Sequence, residues 1–212
     1  MGYSVKELFF TLQGEGAQTG RAAVFCRFTG CNLWTGREKD RDKAACTFCD
    51  TDFIGTDGPG GGRFKDAEAL ARRIRDEWDQ HARGGQAYVV FTGGEPSLQL
   101  DAHVIEWCHE LGIEVAIETN GTKALPDGID WICVSPKPRS TVVQKTGHEI
   151  KFVYPQPELS PDDFAEWTFD NWFIQPMDGP NLQANVQAAT EYCMHNPKWR
   201  LSLQTHKLIG IP

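Results

Sequence analysis

The chain has 212 residues, 40% of them hydrophobic and 24% charged, which is the composition of one globular domain able to bury roughly 70% of its unfolded surface. Its formal net charge of −8 gives no positive field for a polyanion, so nucleic acid and anionic membranes are not expected as partners. Apolar runs such as AYVVF at 87–91 are too short to span a bilayer and MGYSVKELFF at 1–10 lacks the pattern of a secretory signal, so we expect a cytoplasmic protein with reduced cysteines.

Apolar runs with the length of β-strands alternate with helical or loop segments along the chain. The predicted strands are 22–28, 87–91, 113–117, 130–134, 148–154 and 172–174. Apolar residues at helical spacing predict helices at 66–82 and 99–111, and 181–194 is a third candidate. Several strands are apolar on both faces, as in a parallel sheet covered by helices.

This alternation predicts an α/β fold in a single domain, 1–212. No dinucleotide-binding glycine motif opens a first βα unit, so we expect a partial, TIM-like (βα) barrel rather than a flat doubly wound sheet. Polar or glycine-rich segments follow five of the strands: TGC at 29–31, TGGEP at 92–96, ETNG at 118–121, SPK at 135–137 and QPMDG at 175–179. Any one of these could be an ordinary turn. Together they predict a functional site at the rim where the strands end.

The segment CTFCDTDF at 46–53 contains a Cys-x-x-Cys pair. A thioredoxin-type redox pair would open a helix directly after a strand, whereas the charged loop 37–45 precedes this pair. A structural zinc site would need a second pair of ligands, and the sequence has no other Cys-x-x-Cys and no His-x-x-x-His motif. With Cys31 the pair makes three thiolates, which would leave one iron of a [4Fe-4S] cluster open to a ligand from outside the protein. The remaining cysteines fall in apolar strands or helices and are expected to be structural: Cys26, Cys108, Cys133 and Cys193.

Cysteines ending in Cys-x-aromatic-Cys, together with GGEP at 93–96, resemble the radical S-adenosylmethionine enzymes. Fourteen residues separate Cys31 from Cys46, where most of that superfamily has three. This long loop, with LQGEG at 12–16, CRFTGCNL at 26–33, SPK, QPMDG and QTHK at 204–207, is similar to the 7-carboxy-7-deazaguanine synthase family over residues 6–212. The chain is short for a full radical S-adenosylmethionine barrel, so we expect outer helices to be missing or reduced to loops.

The resemblance implies a lyase that contracts the ring of 6-carboxy-5,6,7,8-tetrahydropterin to 7-carboxy-7-deazaguanine with loss of ammonia, on the queuosine route to modified tRNA. It implies a [4Fe-4S] cluster, S-adenosyl-L-methionine and Mg²⁺. The partners expected from it are the small pterin substrate, an electron donor such as flavodoxin or ferredoxin, and a second copy of the chain in a homodimer. A glycyl-radical activase or a non-catalytic zinc-binding module is the alternative.

The resemblance also implies residue roles, with a long cluster-binding loop at about 29–55 and no side chain required as an acid–base catalyst. The cluster would be bound by Cys31, Cys46 and Cys49, and magnesium by Thr51. S-adenosylmethionine would be lined by Phe48, Cys49, Asp50, Gly93, Gly94, Glu95, Ser135, Pro136, Lys137, Gln175, Pro176, Met177 and Asp178. The substrate would be bound by Leu12, Gln13, Gly14, Glu15, Arg27, Thr92, His206 and the free carboxylate of Pro212.

Arg27 is also singled out by the pattern of its own strand. It shares a face with Ala23 and Phe25 near the active end of 22–28, and an arginine in such surroundings requires an anionic partner, for which its planar fork suits a carboxylate. The alternative is an arginine whose stem packs while its head reaches solvent. Gln13 and Glu15 offer an amide and a carboxylate, which match the donor and acceptor edge of a pterin.

Overall fold

A computed structural model describes residues 2–212 as one nine-stranded sheet with four α-helices. The strands are β1 (Tyr3–Leu12), β2 (Ala22–Phe28), β3 (Gly62–Phe64), β4 (Ala87–Gly93), β5 (Ile113–Thr119), β6 (Trp131–Val134), β7 (Thr146–Tyr154), β8 (Thr168–Pro176) and β9 (Arg200–Leu201). The helices are α1 (Ala67–His81), α2 (Ala102–Glu110), α3 (Leu182–His195) and α4 (Thr205–Ile209). No helix within residues 2–212 is long and apolar enough to cross a lipid bilayer.

The strand order is β3-β1-β2-β4-β5-β6-β7-β8-β9, and every neighbouring pair from β2 to β9 is parallel. The first strand runs antiparallel to both β2 and β3. This large, mostly parallel sheet confirms the predicted α/β fold, and its linear order with β3 and β9 at the edges leaves it open. The carboxyl ends of β2 and β4–β8 therefore meet along one rim.

All six predicted strands and all three predicted helices are present, and β8 is longer than its predicted core of 172–174. The apolar pattern of the sequence did not predict β1, β3, β9 or α4. A register shift between Val5 and Glu7 interrupts the alternation of β1, while β3 and β9 have only three and two residues. No α-helix connects β5 to β6 or β6 to β7 in the described chain, as the short length had predicted.

Two apolar clusters cover the outer face of the sheet. The first packs α1 and α2 on β1, β2, β4 and β5, and α1 buries Leu70, Ile74 and Trp78 as its periodicity predicts. The second packs α3 against β7 and β8 and is largely aromatic, with Trp172 and Trp199 in edge contact at 5.1 Å. Because the helices and loops cover that face, the polar residues at the strand ends are left to line the opposite side.

Asp101 connects the first strand to the start of α2. Its carboxylate accepts from the Val104 amide as the N-cap of the helix, and both of its oxygens accept from the Tyr3 hydroxyl at 2.8 and 2.9 Å. Burial and this carboxylate together raise the pKa of Tyr3 above its usual range, so Tyr3 stays a donor.

We expect Asp101→Ala to lower the free energy of unfolding by about 2 kcal/mol, because it removes a helix cap and leaves a tyrosine hydroxyl without its acceptor. Urea unfolding followed by circular dichroism measures this. Asp76→Ala, an exposed aspartate on α1, is the matched control and should change stability by less than about 0.5 kcal/mol. Equal stability of the two variants would contradict the anchoring role.

Candidate active site

The strand ends and the turn between β1 and β2 enclose a cavity of about 520 Å³. Of the five strand-end segments predicted to form the site, all except TGC at 29–31 contribute to its wall. The predicted residues that line it are Leu12, Gln13, Gly14, Glu15, Arg27, Cys46, Phe48, Cys49, Asp50, Thr51, Thr92, Gly93, Gly94, Ser135, Lys137, Gln175, Pro176, Met177, Asp178, His206 and Pro212. Parallel strands thus bring together residues that lie up to 200 positions apart in the sequence.

Three predicted residues do not line this cavity. Cys31 lines a neighbouring cavity of about 400 Å³ formed by the cysteine loop, and Pro136 offers its carbonyl to the Gln156 side chain. Glu95 is fully buried behind the wall. Its carboxylate accepts from the Thr119 hydroxyl at 2.6 Å and from the Asn120 amide at 2.8 Å, so it ties the end of β4 to the end of β5.

The cysteine end of the cavity combines Cys46 and Cys49 from the loop with Cys31 close behind them. All three thiols are free. The hydrogen bond from Cys46 lowers the pKa of Cys49 to about 6, which outweighs the effect of its burial, whereas burial raises the pKa of Cys31. Gly94 is required by this packing, since a Cβ there would clash with the Gly30 carbonyl and the Cys31 side chain.

The thiols fit a cluster better than they fit a single metal ion. Among the described residues, no three His, Cys, Asp or Glu side chains converge closely enough to hold one ion. A [4Fe-4S] cluster does not require three side chains to converge on one point, because each thiolate binds a different iron. Cys31 and Cys49 both pack against the small apolar unit of Trp34, Ala44 and Phe53, and the buried Trp34 Nε1 has no acceptor in residues 2–212. A buried donor without a partner is costly, and a sulfur acceptor beside it would remove that cost.

The opposite end of the cavity is organised by one buried lysine. Lys151 Nζ lies 2.6 Å from Glu15 Oε2 and 2.9 Å from Glu118 Oε2. Gln13 donates to the second oxygen of Glu118 at 2.8 Å, and Gln204 donates to that of Glu15 at 2.9 Å. This network joins the β1–β2 turn, β5, β7 and the C-terminal segment.

The charges in this network stabilise each other against burial. Burial disfavours ionisation of Glu15, but the positive charge of Lys151 together with hydrogen bonds from Lys151, Gln204 and Gln175 outweighs it and lowers the pKa of Glu15 to about 2. Burial likewise acts against the charge on Lys151, and Glu118 and Glu15 together raise its pKa well above the ordinary value. The cavity therefore presents the Glu15 carboxylate in its ionised form at neutral pH.

Arg27 has an anionic partner, as its strand pattern predicts, and that partner belongs to the protein. Its Nε donates to Glu7 Oε1 at 2.7 Å, across the pair of strands β1 and β2. Within residues 2–212 its two terminal nitrogens make no hydrogen bond, and the side chain lines the cavity beside Phe25. One edge of the guanidinium is thus fixed by Glu7 while the other remains able to bind a carboxylate.

The C-terminal segment docks onto the turn between β1 and β2. Thr205 donates to the Gly14 carbonyl through its amide and its hydroxyl, both at 2.9 Å, and the Thr11 hydroxyl donates to a Pro212 oxygen at 2.9 Å. The His206 ring occupies the space where a Cβ of residue 14 would lie, which explains why that position is glycine. Docking brings His206 and Pro212 to the cavity wall.

Lys207 closes the same wall on the cysteine side. Its ammonium lies 3.0 Å from Asp50 and 2.5 Å from Asp178, and these carboxylates raise its pKa despite partial burial. Thr51 lies between this pair and Asp52, which binds Lys6 at 3.0 Å. Both aspartates that flank Thr51 are therefore paired with lysines. Thr51, the residue predicted to bind magnesium, lines the cavity between them.

Glu118, Lys151, Gln204, Lys207 and Glu7 line the cavity but were not among the predicted site residues. Glu118 opens the ETNG segment at the end of β5, and Lys151 is a lone cation in the apolar run of β7. The reasoning that singled out Arg27 on β2 applies equally to Lys151. Gln204 and Lys207 lie in QTHK, where only His206 was singled out.

The matches to known proteins cover the whole chain. A model of the radical SAM superfamily matches residues 43–135. The chain is 63% identical to the 7-carboxy-7-deazaguanine synthase of Bordetella pertussis and 57% identical to that of Caulobacter vibrioides, with complete coverage of both chains in each case. The chain belongs to the 7-carboxy-7-deazaguanine synthase family. The synthase of Burkholderia multivorans, at 53% identity over its full length, agrees.

The fold of this member of the synthase family is similar to that of a solved structure. The crystal structure of QueE from Escherichia coli superposes with a TM-score of 0.66, and the match covers 96% of this chain and 94% of that chain. The sequences are 22% identical, so this likeness bears on the fold alone.

We expect Lys151→Met to lower the free energy of unfolding by about 3 kcal/mol at about pH 7, because it leaves two largely buried carboxylates, 14% and 22% exposed, without their cation. The folded-state pKa of Glu15 lies below its ordinary 4.5, so this contribution is present above about pH 4.5 and is lost as the pH falls toward 2. The deficit of the variant should therefore shrink between about pH 5 and about pH 3, as measured by urea unfolding. Lys123→Met, at an exposed position, is the control, and a deficit that grows on acidification would contradict the prediction.

Proposed function

We propose that the chain catalyses the ring contraction of 6-carboxy-5,6,7,8-tetrahydropterin to 7-carboxy-7-deazaguanine with loss of ammonia, as one domain acting on the route to queuosine. The observation that carries the proposal is one cavity lined both by cysteine thiols and by ionised Glu15 with Lys151 and Arg27. Full-length identity of 53–63% to synthases of that name supports it.

The cluster and S-adenosylmethionine, when bound, supply the electron and the radical chemistry, and the protein supplies position and exclusion of water. Cys31, Cys46 and Cys49 would hold the cluster. The cofactor would lie between this end and the segments 135–137 and 175–178, which line the cavity from β6 and β8. Lys137 is fixed there by its hydrogen bond to the Ser135 hydroxyl at 2.6 Å.

The substrate would occupy the end organised by Lys151. Ionised Glu15 is a hydrogen-bond acceptor, which suits the N–H donors of an aminopyrimidinone ring, and Glu118 lines the same part of the cavity. The free edge of Arg27 suits the carboxylate of the substrate, and Thr92 and His206 line the same space. Thr51 would bind Mg²⁺, an ion that keeps several waters and shares its shell with a substrate oxygen.

Two partners complete the proposal. A small redox protein such as flavodoxin or ferredoxin would deliver the electron, and the active form would be a homodimer. Both rest on the family membership, since the described chain is a single copy.

Anaerobic reconstitution with iron and sulfide, followed by incubation with reductant, S-adenosylmethionine and the carboxytetrahydropterin, tests the activity by mass spectrometry of the product. We expect a deazapurine and one ammonia per turnover from the wild type, and none from Cys31→Ala. Cys193→Ala, which alters a half-buried thiol of α3, should retain full turnover. A zinc-loaded protein without product, or an active Cys31→Ala variant, would overturn the proposal.

Residues added after Pro212 should reduce kcat/KM about tenfold or more while leaving the iron content unchanged, because Pro212 lines the cavity and is bound by Thr11, whereas the cluster would be held by the cysteine loop. Steady-state kinetics and iron analysis of a C-terminally tagged protein measure this. The same tag placed before Met1 is the control. Wild-type kinetics in the C-terminally tagged protein would contradict a substrate contact from Pro212.

A further inference from the structure

The charged part of the insertion between Cys31 and Cys46 has no role in the site as described so far. Its charged stretch 37–43 would be an ordinary solvated surface on composition alone. In the structure, Glu38–Lys43 forms a short 3-10 helix, and one of its side chains differs from the others. Lys39, Asp42 and Lys43 are exposed, whereas Arg41 turns inward.

Arg41 makes hydrogen bonds and a stacking contact within the cysteine loop. Its Nη1 donates to the carbonyl oxygens of Thr47 and Cys49, both at 2.9 Å, and these two residues flank Phe48 in the Cys-x-x-Cys segment. Its Nε donates to Glu38 at 2.8 Å. The guanidinium also stacks on the Trp34 ring, with its carbon 4.2 Å from the ring centre.

Trp34 connects Arg41 to the third cysteine, Cys31. It packs edge-on against Phe53 at 5.7 Å, and Cys31 and Cys49 pack against the same apolar unit. Cys31 Sγ also accepts from the Leu33 amide at 3.4 Å. Arg41 therefore fixes the backbone around two of the cysteines and, through Trp34, the apolar unit against which the third one lies.

The position of Arg41 has an electrostatic consequence. Three thiolates and a reduced cluster concentrate negative charge in a partly buried place, and a fixed cation beside them favours the reduced state. Glu38 offsets part of this charge, but its side chain is 77% exposed and well solvated, while Arg41 is held against the loop. An arginine is suited to this place because it stays charged and its planar group can stack and donate at once.

We propose that Arg41 is a positioning residue for the iron–sulfur cluster, which orders the Cys46–Cys49 segment and raises the reduction potential of the cluster bound there. This inference rests on the proposed function only in requiring a cluster on Cys31, Cys46 and Cys49. The proposal assigns a function to the charged stretch 37–43, which the spacing of the cysteines alone does not explain.

The test uses reconstituted full-length protein and measures the midpoint potential of the cluster by redox titration followed by electron paramagnetic resonance. We expect Arg41→Gln, which keeps a donor but loses the charge, to shift the midpoint to a more negative potential. Arg41→Lys should keep the potential near that of the wild type but lose iron faster to a chelator, because a lysine cannot stack and bridge the two carbonyls in the same way. Lys39→Gln removes an equal charge from the exposed side of the same 3-10 helix and should match the wild type in both measurements.

A wild-type potential in Arg41→Gln, or an equal shift in Lys39→Gln, would overturn the inference. If Arg41→Gln retains too little cluster for titration, the iron-loss rate of Arg41→Lys decides, and a wild-type rate there contradicts the positioning role. Failure of the wild type itself to bind a cluster would refute the proposed function instead, so the two failures are distinguishable.

Discussion

The site depends on one buried positive charge. Lys151 has a side chain only 3% exposed, and a lone ammonium at such a place would cost several kcal/mol. Glu15 and Glu118 offset that cost, and in return Lys151 keeps Glu15 ionised and holds both side chains beside its ammonium at the cavity wall. Since Glu15 belongs to the turn after β1 and Glu118 to the end of β5, the lysine also determines where the turn lies relative to the parallel strands.

The apolar clusters and the C-terminal segment complete the site around this charge. The two apolar clusters hold the outer face of the sheet and leave its inner rim free for polar groups. The C-terminal segment then covers the rim, with Thr205 bound to the β1–β2 turn and Lys207 bound to Asp50 and Asp178. A chain with few outer helices thus closes its active site with its own terminus and with the cysteine loop.

Much of this could be predicted from the sequence, because strand length, helical periodicity and the cysteine spacing are local patterns. They yielded six strands, three helices and most of the cavity wall. They failed where a partner far along the chain determines the conformation: the register shift hides β1, and α4 forms where it docks. Lys151 and Glu118 were missed because a charge on a strand is ordinarily read as facing solvent, and its counter-ion 33 residues away is invisible to periodicity. The inward turn of Arg41 is set by an irregular loop, which no periodic pattern describes.

The central claim is that Lys151 holds the Glu15 carboxylate of the cavity in its ionised form. Carbon-13 NMR of protein labelled at the glutamate side-chain carboxyls, with Glu15 assigned by a Glu15→Gln variant, measures this directly as the pH is lowered. The account predicts that the Glu15 carboxylate remains ionised at about pH 3, well below its ordinary pKa of 4.5. A Glu15 carboxyl signal that titrates at or above 4.5 in the folded protein would contradict it.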